Sequence, residues 1–549
     1  MRRTVLLLAV LVSSLFLNAQ FVIDWQQCYG GEDSDRAYGI IEVDDGFLVS
    51  GLSKSPNSGM VDCDFGNYVG GGWLIKINQN HDLEWGRCYA TSSREIVRYA
   101  SGSPVYIIGG GFFPETGKTG LGIRRIDEDG NTIWERVVGD PNYDFTYNYG
   151  GIATSNGGVL GLANPCHLGG DISHWYGGYD GWLIKLDSLG NTEWEVTLGT
   201  DWTDVVYSVF QTQDDGYIAF MQSLAAGATP GSVFPCKPES NWIDGMFVKI
   251  SKYGEIEWNR CYGGSEADNF CAGIETNDGY LLMGHTESDD GDLENAGYHL
   301  GYDHTNRKTS DIWLLRLDRA GNIIWSRCYG GYANDGPVCV FQNEDGGFTV
   351  FANSISLNGD VQSASHWYFP SVVHEKNNWW IFRTDSEGNL LWERALGSRG
   401  GSREELFDVV KHNDREYTVA GYAPNWDEFN YIYHGDFECT NNFLCGTPGN
   451  AVYWIVHIRD VFDYDAVEEN MAEDLEWFEV FPIPAKDLFT IRGGEDAFHY
   501  SMINAIGQEV IRGVAHNEQQ INVSGMNKGV YFIRLTDGIH TCVKKVVLE

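Results

Sequence analysis

A segment that starts with apolar, strand-forming residues and ends at a tryptophan recurs along most of the chain. One copy spans residues 311–325 and has the sequence DIWLLRLDRAGNIIW. Sibling copies end at Trp85, Trp134, Trp194, Trp258 and Trp392. Self-similarity of this kind is typical of repeat folds, in which each copy is one structural unit that stacks on its neighbours.

Each copy contains four short strands. In the fifth copy the predicted strands are Cys271–Thr276, Tyr280–His285, Ile312–Asp318 and Ile323–Tyr329. The turns between them contain Gly or Asn, which tolerate the positive φ of tight hairpins. A chain with 67 Gly, 19 Trp and 29 Tyr residues also has the composition of an all-β protein.

The two ends of the repeat region predict the number of units. Residues 23–31 around Trp25 form a fourth strand that lacks the first three, whereas Phe407–Lys411, Tyr417–Tyr422 and Tyr453–Ile458 lack a fourth. Joined, they complete one unit and bring the total to seven. Because ring closure removes exposed sheet edges, we expect a seven-bladed β-propeller over residues 20–458, closed by the N-terminal strand.

The unit resembles the Trp-rich propeller repeats common in secreted Bacteroidetes-type proteins. Its Asp-x-x-Gly-Asn-x-x-Trp turn, exemplified by residues 318–325, is also similar to the Asp-box of sialidases and the Trp motif of quinoprotein dehydrogenases. In those families the turn is structural, so the likeness supports the fold and carries no information about activity.

The N-terminus has the features of a signal peptide over residues 1–19. Arg2 and Arg3 precede an apolar run, Val5–Leu17, and Gln20 is the expected first residue of the mature chain. No later segment approaches the roughly 20 apolar residues of a membrane span. Residues 459–476 are rich in acids and are predicted to be an extended linker.

The segment 477–549 opens with VFPIPA at residues 480–485 and contains KGVYFIRL at residues 528–535. It resembles the C-terminal sorting domain of type IX secretion cargo, a small Ig-like β-sandwich, although Ile483 stands where the family usually has Asn. The resemblance implies recognition by the type IX secretion machinery, removal of this domain, and a location outside the cell or on its outer surface.

Export places the twelve cysteines in a compartment that permits disulfides. Cys439 and Cys445 could close a local bridge, and the pairs Cys261/Cys271 and Cys328/Cys339 recur at nearly the same spacing. Two interpretations are open for these residues, disulfide pairing or burial as small apolar side chains.

A formal net charge of −40 repels phosphate backbones, so nucleic acid is a poor partner.

A regular set of acids follows the terminal tryptophans by ten residues: Asp35, Glu95, Asp144, Asp204, Asp268 and Asp335. Residues repeated in every unit serve the fold, so we expect these carboxylates to bind backbone N–H groups of the next blade. The alternative is a cation in a central channel. No catalytic constellation is predicted, because catalysis needs carboxylates in different environments.

The loops between second and third strands break the repeat and are the candidate ligand-binding elements. The sequence Ser-His-Trp-Tyr occurs at residues 173–176 and again at 365–368, and the fifth loop contains Tyr298, His299 and Tyr302. Aromatic rings exposed there would stack on sugars or anchor a protein; alternatively the loops fold back into satellite cores. The predicted ligand-binding residues are His174, Trp175, Tyr176, His366, Trp367, Tyr368, Trp426 and Tyr431.

Gly-Asp followed by an apolar residue recurs in these loops at Asp171, Asp292, Asp360 and Asp436. Calcium binds six to eight oxygens, so the dense group of acids in the fifth loop is a candidate calcium site. Its predicted ligands are Asp289, Asp290, Asp292 and Glu294. No other cofactor is predicted.

The combined features favour a secreted or surface protein that binds glycan or protein without catalysis. Two alternatives stay open at this point. One is a propeller glycoside hydrolase or lyase that uses loop acids and histidines. The other is a surface scaffold without a small ligand.

Overall fold

Strands dominate the computed structural model. It describes residues 21–30, 35–54, 71–89, 93–99, 102–144, 150–223, 231–233, 244–363, 377–397, 405–424, 451–460, 479–481, 486, 488–504, 509–524, 526, 529–536 and 541–548. The all-β class predicted from the repeat is confirmed. The predicted signal peptide and most of the predicted linker lie outside these residues, so the domain bounds stay predictions.

The strands of the repeat region fall into sheets that we number I to VII along the chain. The first strand is β1 (Phe21–Tyr29). Sheets I and II contain β2 (Asp35–Val43), β3 (Gly46–Ser53), β4 (Gly71–Asn78), β5 (Leu83–Tyr89), β6 (Ser93–Arg98), β7 (Val105–Phe112), β8 (Thr119–Ile126) and β9 (Thr132–Val138). Sheets III and IV contain β10 (Gly150–Ala153), β11 (Val159–Ala163), β12 (Gly181–Leu186), β13 (Thr192–Leu198), β14 (Asp204–Gln211), β15 (Tyr217–Ser223), β16 (Asp244–Ile250) and β17 (Ile256–Tyr262).

Sheets V to VII complete the series. Sheets V and VI contain β18 (Asp268–Thr276), β19 (Gly279–Thr286), β20 (Asp311–Asp318), β21 (Ile323–Tyr329), β22 (Asp335–Gln342), β23 (Phe348–Ser354), β24 (Asn378–Thr384) and β25 (Leu390–Leu396), with a 3-10 turn at Gly291–Leu293. Sheet VII contains β26 (Glu405–Asn413), β27 (Glu416–Pro424) and β28 (Ala451–Asp460).

The pairing of these strands follows the predicted pattern. Each of sheets I to VI pairs four consecutive strands, and β1 pairs with β28 as the fourth strand of sheet VII. The first strands of successive sheets contact one another, and β2 also contacts β26. This cycle of contacts is the one expected of the predicted propeller, whose blade count and closure stay predictions.

The chain divides into two compact units, one spanning most of residues 22–459 and the other containing residues 460–549. In the second unit, β29 (Glu479–Phe481), β30 (Leu488–Asn504), β31 (Glu509–Asn522), β32 (Gly529–Thr536) and β33 (Thr541–Leu548) pair in one sheet. Phe489 and Met502 both lie on the single strand β30. Both side chains are buried in the core of this unit.

Apolar runs form the strands because a sheet stacked between two others buries both faces. In β20, Trp313, Leu314 and Leu315 are fully buried although they alternate in direction. The predicted turn after β20 is confirmed: the Asp318 carboxylate accepts hydrogen bonds from the backbone N–H groups of Ala320 and Asn322, at 2.9 and 2.8 Å.

The tryptophan that ends each unit joins one sheet to the next. Trp134 of sheet II donates a hydrogen bond from Nε1 to the carbonyl oxygen of Ser188 in sheet III, at 3.0 Å. A Cβ atom on Gly190 would lie 3.2 Å from the Trp134 ring, and Gly190 has a φ of +86°. The Gly-Asn turn therefore provides both the backbone conformation and the space that the neighbouring indole requires.

Candidate functional site

One edge of each sheet gathers four chain segments. In sheet V the start of β18, the end of β19, the start of β20 and the end of β21 are brought together by pairings such as Asp268 with Thr286 and Thr286 with Asp311. The loop between second and third strands therefore shares this edge with the connections between sheets. We call it the loop edge.

The buried acids of this set bind backbone N–H groups, as predicted, but for Asp335, Asp204 and Asp268 the expected partner in the next blade is wrong. Asp335 accepts hydrogen bonds from the N–H of Gly331 at 2.9 Å and from the hydroxyls of Ser354 and Ser356. Its burial raises the pKa of its carboxyl to about 7. Asp35, Asp204 and Asp268 are equally buried. The amide that Asp335 binds lies in the connection just before its own strand, whereas Glu95 binds the N–H of Gly151 in the next sheet at 2.8 Å.

Asp144 departs from this set. Its carboxylate is exposed, pairs with Lys118 at 2.9 Å and accepts a hydrogen bond from the N–H of Thr119. Lys118 accordingly lowers the pKa of Asp144. The regular spacing in sequence therefore predicts a shared role correctly for the buried acids but not for this one.

The recurring Gly-Asp motif forms a clamp between adjacent sheets. The N–H of Asp171 donates to the carbonyl oxygen of Gly139 at 3.0 Å, and the Asp171 carboxylate accepts from the N–H of Gly139 at 3.0 Å. The same two-way pair joins Asp292 to Gly263 and Asp360 to Gly330, and Ser232 replaces the acid in its pair with Gly199. The motif is an inter-sheet fastening that sequence reasoning assigned to calcium chemistry.

The residues before and after each clamping acid are suited to this close contact between sheets. Gly170, Gly291 and Gly359 have φ between +61° and +68°, a region that is costly for residues with a Cβ. A Cβ on Gly170 would lie 2.0 Å from the carbonyl oxygen of Gly139. The apolar residue after each clamp is buried: Ile172, Val233, Leu293 and Val361.

The four predicted calcium ligands do not converge on one point. Asp290 accepts a hydrogen bond from the N–H of Ser265 at 2.7 Å, Asp292 belongs to the clamp, and Asp289 and Glu294 are exposed. Within the described ranges, no group of three or more His, Cys, Asp or Glu residues is arranged to hold a metal ion. Calcium binding at these acids stays a prediction.

Loop III, residues 164–180, holds the predicted aromatic residues on a fixed backbone. The N–H of Tyr176 donates to the buried Asp180 carboxylate at 2.7 Å, and the hydroxyl of Thr197 donates to the carbonyl oxygen of His174 at 2.8 Å. Burial raises the pKa of Asp180 to about 7. The Trp175 side chain is 44% exposed, and its Nε1 donates to the carbonyl oxygen of Gly178 at 3.1 Å.

A second tryptophan, which sequence reasoning missed, lies beside this loop. Trp202 is in the connection between sheets III and IV and is 53% exposed. A Cβ on Gly178 would lie 2.6 Å from the Trp202 carbonyl oxygen, so the two segments are in close contact. We call Trp175, Tyr176 and Trp202 cluster A. The available signal was an aromatic residue in a connection whose equivalents elsewhere are mostly small or polar.

Loop V, residues 287–310, contributes to an equivalent group. Tyr302 and Tyr332 are 56% and 59% exposed, and Leu300 and Leu357 are exposed beside them in sequence or space. The N–H of Tyr332 donates to the Asn358 side chain at 2.8 Å, and a Cβ on Gly301 would lie 2.1 Å from the Tyr332 carbonyl oxygen. We call Leu300, Tyr302, Tyr332 and Leu357 cluster B.

The alternative, in which loop residues fold back into a core, holds for the described aromatic residue Tyr298 of loop V. Tyr298 packs against the buried core of sheet V and donates its hydroxyl to the carbonyl oxygen of Thr309 at 2.6 Å. Five predicted ligand-binding residues lie outside the described residues: His366, Trp367, Tyr368, Trp426 and Tyr431.

Of the two interpretations left open for the repeat cysteines, pairing within Cys261/Cys271 and Cys328/Cys339 is wrong. Cys271, Cys328 and Cys339 are free thiols, whereas Cys261 is disulfide-bonded to another residue, as are Cys28 and Cys88. Cys271 and Cys339 lie on first strands and Cys328 on a fourth strand, where burial raises the pKa of each thiol. The recurring spacing therefore marks a small buried side chain in these strands.

Residues 479–549 match the family described as the secretion system C-terminal sorting domain. The C-terminal segment is a type IX secretion sorting domain. The protein is accordingly secreted or carried on the cell surface. In the part of the chain that the structure describes, no helix is long and apolar enough to cross a membrane.

No curated protein matches the chain. Solved structures that match the chain include BBS1N in complex with ARL6DN, at 6% identity and a TM-score of 0.40 over 81% of this chain and 98% of that one. Another is the Pyrococcus horikoshii acylaminoacyl peptidase, at 8% identity and 0.39 over 84% and 59%. A third is a member of the DUF4221 family from Bacteroides vulgatus, at 8% and 0.31 over 81% and 99%. None of these likenesses bears on activity.

Proposed function

We propose that this protein is a non-catalytic glycan-binding protein of the cell surface or its surroundings, and that clusters A and B at the loop edge bind the sugars. The observation that carries the proposal is the state of Trp175. Its indole ring is largely exposed, yet its N–H is already bonded to Gly178 within the loop. A ring of this kind offers a flat apolar face in a fixed orientation.

Sugars have apolar C–H faces that stack on aromatic rings, and their hydroxyls bond to polar groups around them. A ring that is fixed before binding loses little conformational entropy when the ligand arrives. Tyr176 and Trp202 in cluster A, and Tyr302 and Tyr332 in cluster B, combine apolar bodies with polar edges in the same way.

The charge of the chain narrows the class of glycan. With a formal net charge of −40, the protein repels sulfated or strongly acidic polysaccharides at long range. Cluster A also has carboxylates beside it, since the Ser173 hydroxyl in the same loop donates to Glu195. We therefore propose neutral glycans as the ligands.

The test is binding of the purified full chain to an array of neutral and acidic glycans. We expect binding to neutral glycans, and Trp175→Ala should weaken it at least tenfold, or about 1.4 kcal/mol. Tyr253→Ala is the matched control, because Tyr253 is 69% exposed in a turn between third and fourth strands. This turn is at the opposite edge of the sheet, so the control should bind as the wild type does.

Three results would contradict the proposal. The first is the absence of binding to any glycan, and the second is an equal loss in the Tyr253→Ala chain. The third is release of new reducing ends from a bound polysaccharide, which would indicate a hydrolase or lyase. Binding to a purified surface protein that Trp175→Ala abolishes would replace the glycan with a protein ligand.

A further inference from the structure

His299 fastens the middle of loop V to the buried edge of sheet V. Its Nδ1 lies 2.9 Å from Oδ2 of Asp311, and its backbone N–H donates to the same oxygen at 2.8 Å. The Asp311 side chain is fully buried, and its second oxygen has no hydrogen-bond partner among the described residues. A buried carboxylate in this state either becomes neutral or is held ionised by a nearby positive charge.

Other acids surround the same imidazole. Nε2 of His299 lies 4.0 Å from Oδ2 of Asp360, the clamp residue of loop VI (residues 355–377). The charge of Asp335, at the start of β22, also raises the pKa of His299. The buried thiol of Cys328, at the end of β21, lies in the same acidic surroundings: Asp311, Asp268 and Asp360 each raise its pKa further. The hydrogen bond and charge of Asp311 raise the pKa of His299.

The clamp between sheets II and III provides a comparison. There Asp171 holds the N–H of Gly139 and pairs with Arg136 at 3.3 Å. Between sheets V and VI, Asp360 holds the N–H of Gly330 at 3.3 Å and faces His299 instead. Arginine keeps its charge at every relevant pH, whereas histidine is the side chain that titrates near neutrality.

We infer that His299 is a pH-sensitive fastener that holds loop V and the clamp between sheets V and VI more tightly while its imidazole is protonated. Loss of the proton leaves Asp311 and Asp360 without a compensating charge. Because the pKa of His299 is raised in the folded state, its contribution is fully present below the pKa of an unfolded histidine. The contribution disappears as the pH rises through the folded value.

The fastener acts on a binding surface. Leu300, Gly301 and Tyr302 follow His299 directly, and Gly301 packs against Tyr332. If cluster B binds glycan, which rests on the function proposed above, its affinity should fall in mildly alkaline surroundings. Cluster A has no such histidine at its buried carboxylate, because Asp180 is bonded to backbone N–H groups.

The test is hydrogen–deuterium exchange of the full chain at about pH 6 and about pH 8.5, corrected for intrinsic rates. We expect the protection factors of the His299 and Gly330 amides to fall about tenfold, a change of about 1.4 kcal/mol in the free energy of opening. The Gly139 amide, in the clamp with Arg136, should change much less. His299→Asn keeps a hydrogen-bond donor without the titration and should abolish the fall, whereas His304→Asn in the same loop should retain it.

The inference is overturned if the Gly139 amide shows an equal fall, or if the fall persists in His299→Asn. The comparison of amides within the wild-type chain does not require any variant to fold. The array measurement at both pH values separates the two proposals. Exchange that responds to His299 without any glycan binding refutes only the proposed function. Glycan binding with exchange that does not respond refutes only the fastener.

Discussion

Loops III and V occupy equivalent positions in the repeat and are held by the same kind of group in different electrostatic states. In both, a fully buried aspartate at or beside the first residue of the third strand accepts a backbone N–H from the loop, Tyr176 for Asp180 and His299 for Asp311. In loop III, Asp180 accepts hydrogen bonds from backbone amides, those of Tyr176 and Gly177. Loop V adds an imidazole at 2.9 Å.

This difference changes how each loop responds to pH. Burial raises the pKa of Asp180 to about 7, so the folded loop III favours the neutral acid. Asp311 also has a raised pKa, but the hydrogen bond and charge of His299 oppose that rise. A repeat can therefore keep one anchoring geometry, while single substitutions set the pH range over which each loop is stable.

Loops III and V both contain a glycine next to the acid of the inter-sheet clamp, and replacing this glycine with alanine should have the largest effect on stability. Gly170→Ala in loop III would place a Cβ 2.0 Å from the carbonyl oxygen of Gly139, and Gly291→Ala in loop V would place one 2.6 Å from that of Gly263. Adding the cost of a positive φ, we expect losses of about 3 and about 2 kcal/mol in the free energy of unfolding, measured by urea denaturation.

The control for this prediction is Gly117→Ala. Gly117 has a φ of +69°, but a Cβ there would meet nothing within 4 Å, so only the backbone cost of about 1 kcal/mol remains. Equal losses at all three positions would mean that the clamp contributes nothing beyond backbone strain.

The next largest effect is the pH dependence of loop III, which Asp180 should cause. Since the pKa of Asp180 is raised in the folded state, the unfolded chain ionises first as the pH rises, and the folded loop loses stability between about pH 4 and pH 7. Asp180→Asn keeps an acceptor for the Tyr176 N–H and removes the titration. We expect the opening free energy of the Tyr176 amide, measured by hydrogen exchange, to fall by about 2 kcal/mol across this window in the wild type. It should stay nearly constant in the variant, and parallel curves would contradict the assignment.

The sequence predicted the regular part of the molecule well because its determinants are local. The strand Ile323–Tyr329 and the turn at Asp318 follow from apolar patterning and from an aspartate that caps its own turn. The role of the buried acids, such as Asp335, followed from their repetition alone. These features need no knowledge of which distant segments meet.

The candidate site was harder to predict because its determinants are contacts between units. The sequence predicts calcium binding at Asp292, and nothing in its local sequence indicates that its carboxylate accepts the N–H of Gly263 in the preceding sheet. Trp202 was missed because its value lies in its proximity to loop III. His299 was noticed only as part of an aromatic loop, and its charged environment comes from Asp311, twelve residues away, and from the next sheet.

The smallest expected effect on stability is that of labelling the cysteines of the two loop regions, which differ in exposure. Cys166 is exposed in loop III, whereas Cys328 is buried beneath loop V, where its N–H bonds to the carbonyl oxygen of Ala296. Burial and nearby carboxylates raise the pKa of Cys328, and the thiolate is the reactive form. A maleimide should therefore modify Cys166 at least about 100-fold faster than Cys328 at neutral pH, with mass spectrometry of digested protein as the readout.

Because an exposed side chain contributes little to the core, the free energy of unfolding of the labelled protein should lie within about 0.5 kcal/mol of that of the unlabelled protein. Comparable labelling of Cys328 in the folded chain would mean that loop V opens far more readily than loop III, and that its charged fastening does not hold.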